Sequence, residues 1–104
     1  MLYLISYDIA VDKRRTKIAK LLEGFGQRVQ YSVFECDLTT KQYAELRRKL
    51  HKILKPAEAD NLRTYKLCAS CVPNIEIVGA GPAIETSVDA VSYTHLTLPT
   101  NREV

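Results

Sequence analysis

The stretch Leu2–Ile9, with the sequence LYLISYDI, decides the fold of this chain of 104 residues. It is rich in β-branched and aromatic residues and contains neither Gly nor Pro, which predicts a strand. Successive side chains of a strand point to opposite faces. One face would carry Tyr3, Ile5, Tyr7 and Ile9, and the other Leu2, Leu4, Ser6 and Asp8. Because both faces are largely apolar, we expect both of them to be covered.

Two helices are predicted in the residues that follow. Asp12 is the expected N-cap of the first helix, which runs to about Glu23. Thr39 or Thr40 is the expected N-cap of the second, which runs to about Leu54. In both segments apolar residues recur at helical spacing, so each helix has one face to bury.

Three further strand segments are predicted by alternation and composition. Arg28–Leu38 alternates and predicts two short strands with a break near residues 30–32. Asn61–Cys68 predicts another strand, and Ile75–Val78 a short last one that ends at a Gly- and Pro-rich breaker. Cys68 and Cys71 form a single C-x-x-C, which is a weak zinc signal because structural zinc takes four ligands. A redox motif of the thioredoxin type would lie at a helix start after an early strand of a βαβ unit, whereas this pair follows a late strand. We therefore interpret the two cysteines as buried thiols.

The order of these elements is β-α-β-β-α-β, followed by the short extra strand Ile75–Val78, and this order is typical of an α+β, ferredoxin-like sandwich. Its sheet is antiparallel and both helices lie on one face. The opposite face would leave an apolar patch in water, and such patches usually mark interaction sites. We therefore predict a homodimer in which the free sheet faces stack.

Composition limits the class of protein. The hydrophobic fraction of 46% and the charged fraction of 26% are ordinary for a globular domain. No apolar run is long enough to span a membrane. The start of the chain shows no basic leader, so we expect no signal peptide. Three cysteines, an odd number, predict a reducing compartment and a cytoplasmic location.

The charge is unevenly distributed along the chain. Residues 1–52 carry eleven Lys or Arg against six Asp or Glu, a net charge of +5, whereas residues 53–104 carry four against six, a net charge of −2. This asymmetry favours a polyanionic partner such as nucleic acid. The alternative is a solvated helix surface without a partner.

Asp8 is the main candidate for chemistry, because it lies where an apolar strand meets a loop. A carboxylate there is costly to desolvate without a partner. One interpretation is a structural role, either as a helix cap or in a salt bridge to Arg14 or Arg15. The other is a ligand for Mg²⁺, which commonly takes one or two carboxylates together with water and phosphate. A dimer would bring two copies of Asp8 together, and such a pair favours a cation or a shared proton.

A row of cations follows Asp8 in the sequence. Arg15 falls on the apolar stripe of the first helix, so its side chain should point at the sheet edge near Asp8. Arg14 and Lys17 lie beside it as a basic surface, and such residues bind phosphate oxygens of a nucleic-acid backbone. Ser32 could bind phosphate or be an ordinary strand serine. Phe34 could be a stacking platform, but a core position is the more usual role.

Three motifs resemble CRISPR-associated protein family two, the small partner of the CRISPR integrase in spacer acquisition. They are Tyr7-Asp8-Ile9, Arg14-Arg15, and the strand that runs from Gly26 through Gln30, Ser32, Val33 and Phe34 to Glu35. The resemblance covers roughly residues 1–80. It implies a ferredoxin-like homodimer that acts with the integrase subunit and binds DNA or RNA.

The resemblance also implies roles for individual residues. Asp8 would be the catalytic and metal-binding carboxylate, with Mg²⁺ as the cofactor. Tyr7, Arg15, Arg28, Ser32 and Phe34 match positions around that site, and Arg14 and the helix cations would contact the nucleic-acid backbone.

Several functions agree with this sequence. The first is a DNA-binding adaptor for integration, and the second is a slow Mg²⁺-dependent endonuclease acting on RNA or duplex DNA. A stand-alone endoribonuclease of the virulence-associated protein D type and a non-catalytic ferredoxin-like binding module are further alternatives.

The end of the chain is expected to differ from the rest. The domain is predicted to span residues 1–84, and residues 85–104 to form a C-terminal tail. Much of segment 91–104 can be back-translated into a transposase-derived sequencing adapter. We therefore hypothesise that 91–104 is non-native or disordered, with no functional residue beyond Asp89.

Overall fold

The structure is a computed structural model that describes residues 1–84. The expected tail 85–104, with its segment 91–104, lies outside the described residues. The main elements are β1 (Leu2–Asp8), α1 (Asp12–Glu23), β2 (Gln27–Gln30), β3 (Val33–Asp37), α2 (Thr40–Ile53) and β4 (Asn61–Leu67). Two short 3-10 turns follow α2 and β4, at Pro56–Glu58 and Val72–Asn74.

The four strands form one antiparallel sheet in the order β2-β3-β1-β4, so β1 is central. This is the α+β, ferredoxin-like arrangement that the sequence predicted. Both helices pack on the face that carries Tyr3, Ile5 and Tyr7. Four isoleucine and leucine residues of the helices are almost completely buried in this core, and they are Ile18, Leu22, Leu46 and Leu50.

The two helices begin differently. Thr39 caps α2 as predicted, because its hydroxyl accepts a hydrogen bond from the Gln42 amide at 3.1 Å while the Gln42 side chain bonds the Thr39 amide. The prediction that Asp12 caps α1 is wrong. Asp12 is the first helical residue and Val11 precedes it without a side-chain cap. The Asp12 carboxylate bonds Arg15 instead.

The face of the sheet opposite the helices, called here the open face, is covered only in part. Leu2 is buried there beneath Val72 and Ile84, so residues 72–84 lie over one end of β1. The predicted strand Ile75–Val78 is wrong: within residues 1–84 this segment pairs with no strand. Ile75 and Ile77 instead pack against the cluster formed by Leu2, Val72 and Ile84.

Two local features lie at the ends of strands, Gly26 just before β2 and the cysteine pair after β4. Gly26 lies so close to β3 that an added Cβ would be 2.3 Å from the Glu35 carbonyl oxygen. Cys68 and Cys71 are exposed, which contradicts the interpretation of two buried thiols. Both follow the last residue of β4, in a turn whose residues 68–71 are all exposed. In the described part of the chain, neither helix is long and apolar enough to cross a membrane.

Candidate nucleic-acid interface

One end of the sheet gathers most of the predicted site residues. The antiparallel register brings Asp8 at the end of β1 opposite Asn61 at the start of β4. The turn between β2 and β3 is tied to the same end, because the Tyr7 amide donates to the Ser32 carbonyl at 3.1 Å. Ser32 itself is half-buried in this turn. Thus Asp8 and the predicted residues around it share one edge of the fold.

Asp8 is exposed on the open face. Within residues 1–84 its carboxylate makes no ion pair and no side-chain hydrogen bond. The two arginines that could have paired with it bind other carboxylates, Arg14 binding Asp60 and Arg15 binding Asp12. A structural salt bridge therefore does not explain this acid.

Arg14 is held by the loop before β4. Its Nε donates to Oδ2 of Asp60 at 2.8 Å and its Nη2 to Oδ1 at 3.0 Å, and its Nη1 lies 3.1 Å from Glu58. The Asp60 side chain is 1% exposed. Asp60 also accepts from the Lys55 amide at 2.9 Å. These hydrogen bonds lower the pKa of the Asp60 carboxyl, and the bond from Arg14 has the largest effect. Because its charge is already paired, Arg14 has less to offer a phosphate than an unpaired cation.

Arg15 reaches the end of β1. Its Nη1 donates to the Ile9 carbonyl at 2.9 Å, and its Nη2 bonds Asp12. The bond to Asp12 raises the pKa of Arg15, and the Tyr31 hydroxyl adds to this shift. Arg15 thereby links the start of α1 to the loop that follows Asp8.

Tyr7, Arg28 and Phe34 come together on the helix side of the sheet. Phe34 is completely buried, so it is a core residue and offers no platform for a base. The Tyr7 and Phe34 ring centroids are 6.3 Å apart, and the Arg28 guanidinium lies 5.3 Å from the Phe34 centroid. Burial raises the pKa of the Tyr7 phenol, while Arg28 opposes the shift. Arg28 also lies 3.8 Å from the Glu23 carboxylate.

The predicted site residues therefore form two sets. Strand alternation places Asp8 on the open face and Tyr7 on the opposite one. Within one chain, Tyr7, Arg28 and Phe34 support the end of the sheet from the helix side and do not face the Asp8 carboxylate.

A groove lined by lysines opens beside this end, between the start of α1 and the end of α2. It has a volume of about 280 Å³. Its lining residues are Val11, Lys13, Arg14, Lys17, Lys52, Ile53 and Lys55. Four lysines thus converge on one concave surface, which we call the lysine groove. Lys17 was expected to bind a backbone, whereas Lys13 and Lys55 were not singled out, because only the packing of α1 against α2 brings them together.

Sequence reasoning missed two further residues. Tyr31 is 73% exposed at the turn between β2 and β3, beside Arg15. An exposed aromatic residue next to Ser32 could have been noted from the sequence. Arg63 pairs in register with Ser6 on the open face, two residues along β4 from the partner of Asp8. No sequence signal indicated that Arg63 and Asp8 share a face.

The donor set for a metal at Asp8 is small. Residues 1–84 contain no group of three or more His, Cys, Asp or Glu side chains that could hold a metal. One unpartnered carboxylate fits Mg²⁺, which accepts a single protein ligand when water and phosphate complete its octahedron. A single carboxylate does not fit a metal that takes all of its ligands from protein side chains.

Comparisons with known proteins agree with this description. A family model described as CRISPR associated protein Cas2 matches residues 1–75. A relative from Chloroflexus aurantiacus, named CRISPR-associated endoribonuclease Cas2 1, is 64% identical over 89 residues and spans 86% of this chain and 96% of its own. The crystal structure of Streptococcus pyogenes Cas2 at pH 6.5 is similar with a TM-score of 0.66 and 33% identity, covering 76% of this chain and 100% of that one. A chain in a structure titled partial Cas6-RT-Cas1–Cas2 complex has a TM-score of 0.59 and 42% identity, covering 66% and 80%.

Proposed function

The chain belongs to the Cas2 family of CRISPR-associated proteins, and we propose that it acts in CRISPR adaptation as a nucleic-acid-binding partner of the spacer-acquisition integrase. The observation that carries the proposal is the lysine groove beside the end of the sheet. Lys13, Lys17, Lys52 and Lys55 line one concave surface there. Several cations on one surface favour a polyanion, and a nucleic-acid backbone is the polyanion that CRISPR adaptation supplies.

Binding should depend on the backbone rather than on base sequence. Flexible lysine side chains act as point charges toward phosphate. The helices and strands of the described residues carry no motif that recognises base sequence in a groove. Contacts to phosphate would therefore position the duplex without specifying its sequence. Such binding weakens steeply with salt, because each phosphate contact releases counterions.

A second copy of the chain would complete the proposed binding unit. On the open face Leu4 is half-buried and its register partner Tyr65 is 50% exposed. Stacking two open faces would cover both residues and bring two copies of Asp8 toward one another. Residues 72–84 already cover Leu2, so a second copy would take the part of the face nearer to Asp8.

The integrase is the proposed protein partner. A chain similar to this one is part of a structure titled as a Cas1–Cas2 complex. Similarity of fold and sequence over two thirds of this chain supports the same kind of partner here.

A second candidate function is metal-dependent cleavage of RNA or duplex DNA, and the unpartnered Asp8 favours it. Asp8 would hold Mg²⁺, which when bound neutralises phosphate charge and activates water. The neighbouring Arg63 and the lysine groove would hold the phosphates. Within residues 1–84 no general base contacts Asp8, so we expect cleavage to be slow.

The binding proposal is tested by replacing Lys13 and Lys17 together with Gln. Binding of duplex DNA should weaken, and the salt dependence should fall by about 1 in log–log slope for each lysine that contacts phosphate. Lys41→Gln is the matched control, because Lys41 lies at the other end of α2. Fluorescence anisotropy at several salt concentrations measures both effects. Equal loss in the variant and the control would contradict the proposed groove.

The cleavage candidate is tested by comparing wild type with Asp8→Asn on RNA and on duplex DNA, with and without Mg²⁺. Cleavage that depends on Mg²⁺ and is lost in Asp8→Asn while binding persists would support the nuclease. If both proteins bind nucleic acid equally and neither cleaves it, the nuclease candidate is contradicted and the adaptor function is the one that remains. Absence of all nucleic-acid binding at low salt would overturn both and favour a non-catalytic binding module.

A further inference from the structure

The turn after β4 holds two cysteines that the proposed function does not use. The Cys68 Sγ lies 3.1 Å from the Cys71 Sγ and 3.1 Å from the Ser70 Oγ. Both thiols are exposed. The third cysteine, Cys36, is buried, and its burial raises the pKa of that thiol to about 11. The chain therefore carries one accessible pair of thiols in contact and one inert thiol.

The backbone of the turn suits a bond between the two sulfurs. The Cys71 amide donates to the Cys68 carbonyl at 2.9 Å, which is the i to i+3 hydrogen bond of a β-turn. Such a turn keeps its first and last Cα atoms within about 7 Å. Disulfides usually join residues whose Cα atoms are about 4.4–6.8 Å apart. The pair could therefore be joined without rearranging β4.

We propose that Cys68 and Cys71 form a redox-active dithiol that closes to a disulfide by exchange with a small disulfide of the glutathione type. The Cys68 thiolate attacks one sulfur of the small disulfide and forms a mixed disulfide, and the first thiol leaves with the proton that Cys68 lost. Cys71 then loses its proton and attacks the Cys68 sulfur, which expels the second thiol. The two cysteines lose two electrons and two protons, and the small disulfide is reduced to two thiols.

The hydrogen bonds of the turn assign the roles of the two sulfurs. Bonds from Ser70 and Cys71 lower the pKa of Cys68 to about 7, whereas the neighbouring Cys68 raises the pKa of Cys71. A thiol whose pKa is near the ambient pH is the best attacking group in disulfide exchange. Cys68 is thus the nucleophile, and Cys71 is the group that resolves the mixed disulfide.

The position of the pair connects its redox state to the open face. Val72 follows Cys71 directly and is buried against Leu2. The Val72 amide also donates to the Cys68 carbonyl at 3.2 Å. Residues 72–84, which cover part of the open face, begin directly after this turn. A disulfide would close the turn and so hold Val72, the first of these residues, in place.

The experiment uses the reduced full chain, incubated with oxidised glutathione near pH 7.5 and followed by intact mass. Wild type and Cys36→Ser should each lose two hydrogen atoms in mass, with no adduct at the end point. Cys71→Ser should retain one glutathione at residue 68. Cys68→Ser should acquire an adduct more slowly, by about threefold or more.

Alkylation of wild type supplies an independent readout. The rate at Cys68 should rise with pH around a midpoint near 7, the pKa that its hydrogen bonds produce. Circular dichroism of each variant shows that it is folded. Wild type that stays a dithiol in excess oxidised glutathione, or that accumulates only mixed disulfides, would overturn the proposal. Equal adduct rates in Cys71→Ser and Cys68→Ser would overturn the assigned roles.

Discussion

On the helix side of the sheet, Phe34 and Ile5 are completely buried, whereas on the open face Leu4 is half-buried and Tyr65 is 50% exposed. The carboxylates near the end of the sheet repeat the contrast. Asp60 is bound by Arg14, and Asp8 has no side-chain partner within residues 1–84. Stability is thus concentrated on one side of the sheet. This leaves the other side able to keep an unpartnered acid where a ligand could reach it.

The largest expected effect comes from the helix side. Phe34→Ala should lower the free energy of unfolding by about 3–5 kcal/mol, because it removes a fully buried ring from the core. Tyr65→Ala on the open face is the control and should cost less than about 1 kcal/mol in the monomer. Urea denaturation measures both. Similar losses for the two variants would show that the open face is as tightly packed as the helix side.

Gly26→Ala should be the next most harmful change. The new Cβ would lie 2.3 Å from the Glu35 carbonyl oxygen and 2.5 Å from the Cys36 Sγ, and overpacking of this kind costs about 1–3 kcal/mol. Gly24→Ala is a matched control, because its Cβ would meet only the Leu21 carbonyl oxygen at 3.4 Å. Thermal denaturation should separate the two. If they coincide, β2 is free to move away from β3.

The paired acid should give a smaller loss that depends on pH. The pKa of Asp60 is lowered in the fold, so its bonds add stability above the ordinary carboxyl pKa of 3.8, and this stability is lost as pH falls through the folded pKa. Asp60→Asn should therefore be less stable than wild type at pH 7, and the difference should vanish in acid. Asp8→Asn is the contrasting variant and should match wild type at pH 7. Denaturation curves between pH 3 and pH 7 check both expectations.

The smallest expected effect concerns Glu35, which is half-buried on the open face. Burial disfavours the charged carboxylate and raises the pKa of Glu35 above 4.5. The contribution of Glu35 to the stability of the fold is therefore fully present below the ordinary carboxyl pKa and is lost as pH rises through the folded pKa, so that the buried charge is a cost at pH 7. Glu35→Gln should remove this cost and make the protein slightly more stable than wild type at pH 7. A less stable Glu35→Gln would mean that the carboxylate has a partner in solution, for example across a dimer.

Local patterns in the sequence predicted much of this architecture. The alternation in β1, the apolar stripes of both helices and the Thr39 cap all depend on residues a few positions apart. The errors arose where a contact that the sequence pattern did not indicate replaced the predicted one. Asp12 binds Arg15, three residues along α1, rather than capping the helix. Ile75 and Ile77 pack against the distant cluster that contains Leu2 instead of forming a strand.

The candidate site was predictable in its members but not in its arrangement. Asp8, Arg15 and Lys17 were singled out from position and charge alone. That Arg14 would be taken by Asp60, 46 residues away in the chain, could not be read from the sequence. The convergence of lysines from α1, α2 and the following loop could not be read from the sequence either, because contacts between the two helices decide how the helices align.

The sequence by itself determined the element order, the buried faces and the presence of a carboxylate at the end of β1, because hydrophobic periodicity and local hydrogen bonds act over short separations. Only the tertiary structure decided which charges are paired and which are left free. An ion pair forms where packing brings two side chains within about 4 Å, and packing here was set by apolar contacts that carry no information about charge.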